Sequence, residues 1–314
     1  MWFLGIDTSN YTTSAALYDG ETLRQEKLPL PVREGELGLR QSDAVFLHVK
    51  QLPGLLEQLL PHAGGKLGGV GVSIRPRDVE GSYMPCFLSG ELAARSVAAG
   101  LGVPCRTFSH QAGHIAAVLL GSGSLELLNR HFLAVHLSGG TTECLLVRPG
   151  QEHPFHIELL AHTLDLAAGQ VIDRVGKLLG LAFPAGLALE KLAAQALGSI
   201  RPKAVMKDAN CCLSGLENQC RTLLEQGEVP AVVARFCQES VGKTVLQMAQ
   251  KALELHPGLP FVFGGGVMSN SAIRERLQAH LPDVRFAPPS LSADNAAGMA
   301  LLAYLSGQGG ETLC

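Results

Sequence analysis

The chain has no cysteine pair in C-x-x-C spacing. Its eight cysteines, Cys86, Cys105, Cys144, Cys211, Cys212, Cys220, Cys237 and Cys314, follow no framework pattern. They read as mostly buried reduced thiols, with Cys211 and Cys212 adjacent by chance. No apolar run reaches the ~18 residues that suggest a membrane span. The opening "MWFLGI" is cut short by Asp7 before it could form a signal-peptide core, so a cytoplasmic location without a membrane partner is expected. A basic stripe is also missing. The net charge is −3 with pI about 6.4, and Arg75, Arg77, Arg201, Lys203 and Lys207 make only loose clusters. Proteins that grip nucleic acid unaided usually carry such a stripe, so an RNA partner would need positive surface supplied by other proteins. There is no Walker loop, no strand followed by G-x-G-x-x-G, no low-complexity segment and no short repeat.

What is present is apolar and regular. Hydrophobic residues make up 46% of 314 residues and mean hydropathy is +0.20. This suits two domains of ordinary size or one large α/β unit. "MWFLGIDTSNYTTSAALYDGETL" reads as strand, turn, strand, with Asp19-Gly20 marking the next hairpin turn. "SDAVFLHVKQLPGLLEQLL" is helical and expected to break at Pro53. A strand over "LGGVGVSIRP", a loop at 75–84, a helix over "FLSGELAARSVAAGLG" and a short strand "VPCRTFS" follow. A second cycle opens with "HFLAVHLSGGTTECLLVRPG", again strand, hydroxyl-rich turn, strand. It continues through a helix-rich 168–256, a strand, glycine turn and helix in "LPFVFGGGVMSNSAIRERLQAHL", an edge-like strand "DVRFAPPS" and a last helix "ADNAAGMALLAYLSG". The expected lobes are 1–128 and 129–294, parting near 121–130, with the final segment 295–314 packing back on the first.

Three strand-to-turn sites carry chemical potential. "DTSNYTTS" (7–14) offers a carboxylate and hydroxyls. "LSGGTTE" (137–143) has two glycines that let backbone approach a ligand. "FGGGVMSN" (263–270) ends a strand and opens a helix, whose N-terminus favours anions. In two pseudo-equivalent halves, they favour a nucleotide held between two lobes. "HQAGHIAAVLL" (110–120) adds His110 and His114, which share one helical face and can point at one ion. In the metalloprotease motif H-E-x-x-H the glutamate is the general base. Here Gln111 stands in its place, and an amide takes no proton from water, which argues against a protease. Two imidazoles leave a metal short of ligands, and a pair of solvated histidines reads this stretch equally well.

Taken in order, these segments resemble the tRNA threonylcarbamoyl-adenosine transferases, a family long labelled sialoglycoprotein endopeptidase and peptidase-like. "FLGIDTS" resembles the family's first phosphate loop, "HQAGH" its H-x-x-G-H motif, and "LSGGTTECLLV" its S-G-G-H-T loop. "TLDLAAGQVIDRVGKLLGLAFPAG", "CLSGL", "GGGVMSNSAIRERL" and "SADNAAGMA" resemble further family segments, so the likeness runs nearly end to end. It implies a two-lobed α/β fold of the actin-like, sugar-kinase-like ATPases with a central cleft. It implies one divalent transition metal, iron or zinc, on His110, His114 and Asp294. It implies binding of an adenine nucleotide or threonylcarbamoyl-adenylate by Leu137, Ser138, Gly139, Gly140, Thr141, Asp173, Gly186 and Asn270. Asp7, Thr8, Ser9, Tyr11 and Thr12 take the place of the family's catalytic first loop. The implied partners are tRNA, a threonylcarbamoyl-adenylate synthase and accessory subunits.

The departures cluster in the same loops. The family's T-S-C-D-E-T is T-S-N-Y-T-T here, so Tyr11 and Thr12 replace an acidic pair. The histidine of S-G-G-H-T is Thr141, P-G-G has become Pro184-Ala185-Gly186, and A-G-P-G has become "IRPRDVEGS". These changes fit a divergent paralogue. The leading expectation is transfer of threonylcarbamoyl to the N6 amine of an adenosine in tRNA. The alternatives are a catalytically divergent nucleotide- and metal-binding paralogue with a regulatory role, and kinase or carbamoyl transfer chemistry on another acceptor.

Overall fold

A computed structural model describes residues 1–9, 11–32, 39–150, 154–292 and 296–308. The first elements are β1 (Trp2–Ser9), β2 (Thr12–Tyr18), β3 (Leu23–Pro29), α1 (Gln41–Leu59), β4 (Leu67–Arg75), α2 (Phe87–Leu101), β5 (Cys105–Ser109) and α3 (His110–Ser122). Then come β6 (Phe132–Leu137), β7 (Thr142–Pro149), β8 (Phe155–His162), α4 (Ala168–Leu178), α5 (Gly186–Ala193), β9 (Met206–Lys207), β10 (Asn210–Cys211), α6 (Ser214–Glu225) and α7 (Pro230–Leu255). The chain closes with β11 (Phe261–Gly264), α8 (Ser271–His280), β12 (Val284–Phe286), α9 (Pro289–Ser292) and α10 (Ala296–Gln308). The chain divides into two compact units, Met1–Leu128 with Pro149–His156 and Asp294–Cys314, and Asn129–Arg148 with Ile157–Ala293. Among the described residues no helix is long and apolar enough to cross a membrane.

In the first unit the sheet order is β3-β2-β1-β4-β5. β1 runs antiparallel to β2 and parallel to β4. Strand alternation sorts the residues of β1. Leu4 and Ile6 join Leu52, Leu55, Val70 and Val72 in one apolar cluster. Gly5 turns the other way, where a Cβ would lie 2.1 Å from the Ala296 carbonyl oxygen at the start of α10. Gly71 on β4 does the same against Met299, at 2.3 Å, and on α10 itself a Cβ at Gly298 would meet the Gly113 carbonyl of α3 at 1.9 Å. These missing side chains let α10 lie directly on β1, β4 and α3. The same alternation puts Asp7 on this face with Gly5.

α1 runs unbroken through Pro53, where the sequence predicts a break. Pro53 withholds its N–H from the carbonyl of Val49, and Val49 is 54% exposed. On this solvent face water can take the released carbonyl.

The second sheet repeats the pattern, with order β12-β11-β6-β7-β8. β6 pairs antiparallel with β7 and parallel with β11. Its core gathers Leu133, Val135, Phe261 and Phe263 with Val241, Val245 and Met248 of the long helix α7. The described cysteines carry no disulfide. Burial pushes the Cys86 and Cys144 thiols up to about 12 and Cys211 to about 11, with the Asp7 charge adding to the rise at Cys86. Such thiols are poor nucleophiles at neutral pH.

Candidate functional site

The first polar turn begins where β1 ends. Asp7 is 1% exposed. Its Oδ1 accepts from the Ser73 hydroxyl and lies 3.0 Å from His110 Nδ1, and its Oδ2 accepts from the Ser9 N–H at 3.3 Å. Burial is the largest influence on this carboxyl and pushes it up. The His110 ring and the donors from Ser73 and Ser9 together outweigh it and hold Asp7 below its ordinary range.

α3 follows β5 with no intervening loop. Ser109 caps it, accepting from the Ala112 N–H at 3.2 Å and donating to Asp78 Oδ2 at 2.6 Å. Asp78 is also paired with Arg75 at 2.8 Å. The loop at 75–84 therefore anchors the helix start that carries His110, and the Gln111 N–H donates to the Pro76 carbonyl at 3.0 Å. His110 is partly exposed and His114 buried. Their ring centroids are 4.6 Å apart, edge to face, which brings both imidazoles to one place. Asp294 lies outside the described residues. Among the described residues no group of three or more His, Cys, Asp or Glu side chains is gathered as a metal set. Two imidazoles, one of them backed by a carboxylate, are nonetheless the donor chemistry that suits a transition metal.

The rest of the first loop faces inward. Thr8 is fully buried, donating to the Cys86 carbonyl at 2.9 Å and accepting from the Gly90 N–H at 3.1 Å. It brackets β1 to α2. Ser9 and Thr12 pair across the hairpin, and the Tyr11 carbonyl accepts from the Leu30 N–H at 2.8 Å. Asn10 lies outside the described residues. Beneath the loop is a histidine that sequence reasoning missed. Gln51 donates to the Pro29 carbonyl, so its Oε1 is the acceptor for the Thr13 hydroxyl at 2.6 Å, and Thr13 in turn accepts from His48 Nδ1 at 2.8 Å. Burial holds the His48 ring below its ordinary value, against opposing pulls from Asp7 and the Ser9 backbone.

In the second unit the predicted nucleotide residues form a closed circuit of contacts. Leu137 ends β6, fully buried. The Ser138 hydroxyl accepts from the N–H groups of Gly140 and Thr141 at 3.3 and 3.1 Å. Gly139 and Gly140 are exposed, and a Cβ at either would meet nothing within 4 Å. The loop docks on α4: the Ala168 N–H donates to Thr142 Oγ1 at 2.8 Å, and the Gly169 N–H to the Ser138 carbonyl at 3.1 Å. One turn along α4, Asp173 Oδ1 accepts from the Ala185 N–H at 2.8 Å, next to Gly186. Burial raises the Asp173 carboxyl above its ordinary value and the single N–H offsets this only in part. On α5, Glu190 accepts from the Ser271 N–H at 2.8 Å and hydroxyl at 2.5 Å. Beside it, Asn270 caps α8 through Ile273 at 3.0 Å and donates to Gln238 at 3.0 Å. The circuit closes at Gly265, φ +94°, where a Cβ would lie 2.1 Å from the Leu137 carbonyl. Asn270, taken in the sequence as a ligand contact, thus has its amide engaged as a cap. Glu190 and Gln238 were missed, and their only signal is their position on helices facing the glycine turn.

A family model described as tRNA N6-adenosine threonylcarbamoyltransferase matches residues 39–301. A relative of that name from Thermus thermophilus is 32% identical over 322 residues, covering 99% of this chain and 94% of its own. Among solved structures, HypF from T. kodakarensis aligns over 98% of this chain and 48% of that one, with TM-score 0.64 and 14% identity. Component A of (R)-2-hydroxyglutaryl-CoA dehydratase from Acidaminococcus fermentans aligns over 98% and 99%, with TM-score 0.58 and 17% identity. Identities this low speak for fold alone, and the fold is that of the actin-like, sugar-kinase-like ATPases.

Proposed function

The chain belongs to the tRNA N6-adenosine threonylcarbamoyltransferase family, and from that premise we propose that it moves a threonylcarbamoyl group from threonylcarbamoyl-adenylate to the N6 amine of the adenosine 3′ of the tRNA anticodon. In this reaction N6 attacks the carbamoyl carbon and a C–N bond forms. The C–O bond to the adenylate phosphate breaks, AMP leaves with its electron pair, and N6 gives up a proton. The observation that carries the reading is the pair of histidines on adjacent turns of α3, with His110 held by the buried Asp7. An iron or zinc ion, when bound by His110, His114 and Asp294, would act as a Lewis acid on the carbamoyl group. The first turn of α10 lies against α3 at Gly113.

The second unit suits the leaving adenylate. The open space over Gly139 and Gly140 admits a phosphate or ribose close to backbone. Asp173 supplies an acceptor for a ribose hydroxyl beside Gly186. A synthase for the adenylate, accessory subunits and a cytoplasmic setting go with this reading, since the chain is acidic overall and RNA would need help to dock.

One observation favours a second reading, a divergent paralogue that binds nucleotide and metal in a regulatory role. Tyr11 and Thr12 stand where the family's acidic pair would, and neither supplies a carboxylate there, while Asp7 is enclosed by its own partners. Loss of a general base slows such a step by about 10²–10⁴-fold. The deciding experiment supplies the protein with an adenylate source, metal, partners and unmodified tRNA, and reads modified nucleoside by mass spectrometry. Weak activity that rises in Tyr11→Asp/Thr12→Glu is expected. No product from either protein would discard transfer to tRNA in favour of the paralogue.

A further inference from the structure

We infer that Asp7 is a positioning residue for the metal: its buried carboxylate holds the His110 ring with the proton on Nδ1, so that Nε2 is the nitrogen presented to the ion. This rests on the metal reading above and deepens it. The family resemblance puts Asp7 in a phosphate loop, but its geometry gives the carboxylate other work. Both oxygens are occupied inside the protein, Oδ1 by Ser73 and His110 and Oδ2 by the Ser9 N–H. A carboxylate enclosed at 1% exposure is poorly placed to meet a phosphate, and like charges would repel if it did.

An imidazole has two different nitrogens, and the partner of one decides the tautomer of the ring. With a carboxylate oxygen 3.0 Å from Nδ1, the proton belongs there. Metal-bound histidines usually have a carboxylate or carbonyl behind the second nitrogen, which fixes the ring and raises its basicity. The exposures run in the direction this needs, since the His110 side chain is 21% exposed and that of Asp7 is 2%. The support is thus fully enclosed, while part of the ring reaches the surface. Ser73 makes the support independent of the ion. Its hydroxyl donates to the same Oδ1, and β4 is bonded alongside β1, so the sheet itself aims the carboxylate.

Two measurements test this. In metal-free wild type, ¹⁵N-resolved histidine NMR, with His110 assigned through His110→Gln, should find the ring protonated at Nδ1. A neutral ring protonated only at Nε2 overturns the proposal. Zinc affinity is then measured by chelator competition, and site geometry by the visible spectrum of the cobalt-loaded protein. Folded Asp7→Asn should bind zinc about 10–100-fold more weakly with altered cobalt bands. Unchanged affinity and spectrum sink the positioning role while leaving the metal site standing, whereas a wild type that takes up no metal sinks the metal reading itself. If Asp7→Asn does not fold, the NMR result on wild type still decides, and Ser73→Ala, which keeps the carboxylate, should show a smaller loss of affinity.

Discussion

Asp7, buried, and Asp173, half-buried, stand one in each unit, and their carboxyls are shifted in opposite directions. Burial pushes both up. Asp7 has an imidazole and two further donors to overcome it, while Asp173 has one backbone N–H and is left raised. The contrast extends to the loops around them. The first is packed and self-satisfied: Thr8 is bonded on both sides and Gly5 touches backbone. The second has bare backbone over Gly139 and Gly140. A loop already full of its own partners is built to hold protein groups still. One with an under-partnered carboxylate and open backbone is built to receive something.

The largest expected effect breaks the packed side. Gly5→Val puts a side chain into the α10 backbone, where nothing flexible can yield. Denaturant unfolding should show a loss of about 3 kcal/mol or more, and a near-native midpoint would mean that the close packing of α10 on β1 is not needed.

A smaller effect separates the two carboxylates by pH. Asp7 has a lowered folded value, so its stabilisation is present above the ordinary carboxylate range and disappears as pH falls through that lowered value. Asp173 has the reverse sign. Its ionisation opposes folding, with a penalty that grows as pH rises from its unfolded value towards the raised folded one. Asp173→Asn, which keeps the acceptor for Ala185, should therefore be more stable than wild type at pH 7, by a small margin because the group is partly exposed to solvent. The gain should vanish near pH 3. Equal midpoints at pH 7 would show that Asp173 is not held at a cost.

The smallest stability effect belongs to the open loop. Gly139→Ala should unfold within about 0.5 kcal/mol of wild type yet bind AMP measurably more weakly by calorimetry. Undiminished AMP binding would remove this loop from the nucleotide site.

Local features were legible from sequence and long-range ones were not. The i, i+4 histidines announce themselves because one helix carries both. The hydroxyl-rich hairpin turns show as polar breaks between apolar runs. Ser73 meets Asp7 across 66 positions and Glu190 meets Ser271 across 81, so neither leaves a local pattern. His48 occupies a helix position that periodicity assigns to the core, alongside Ala44, Leu52 and Leu55. A single sequence does not reveal that its ring is tied to Thr13. Pro53 misled because the Val49 carbonyl it leaves without a donor lies on an exposed face, where water can bond to it and the helix can continue.

The glycine-lined bed for α10 has a consequence for the order in which the protein is made. Translation proceeds from the N-terminus, so β1 and β4 leave the ribosome long before residues 296–308 exist. Until then one face of the first sheet has no side chains at Gly5 or Gly71 to shield its backbone and no helix to cover it. The strands of this sheet are thus completed by a helix made much later, and the nascent chain must carry their uncovered face until α10 has been made.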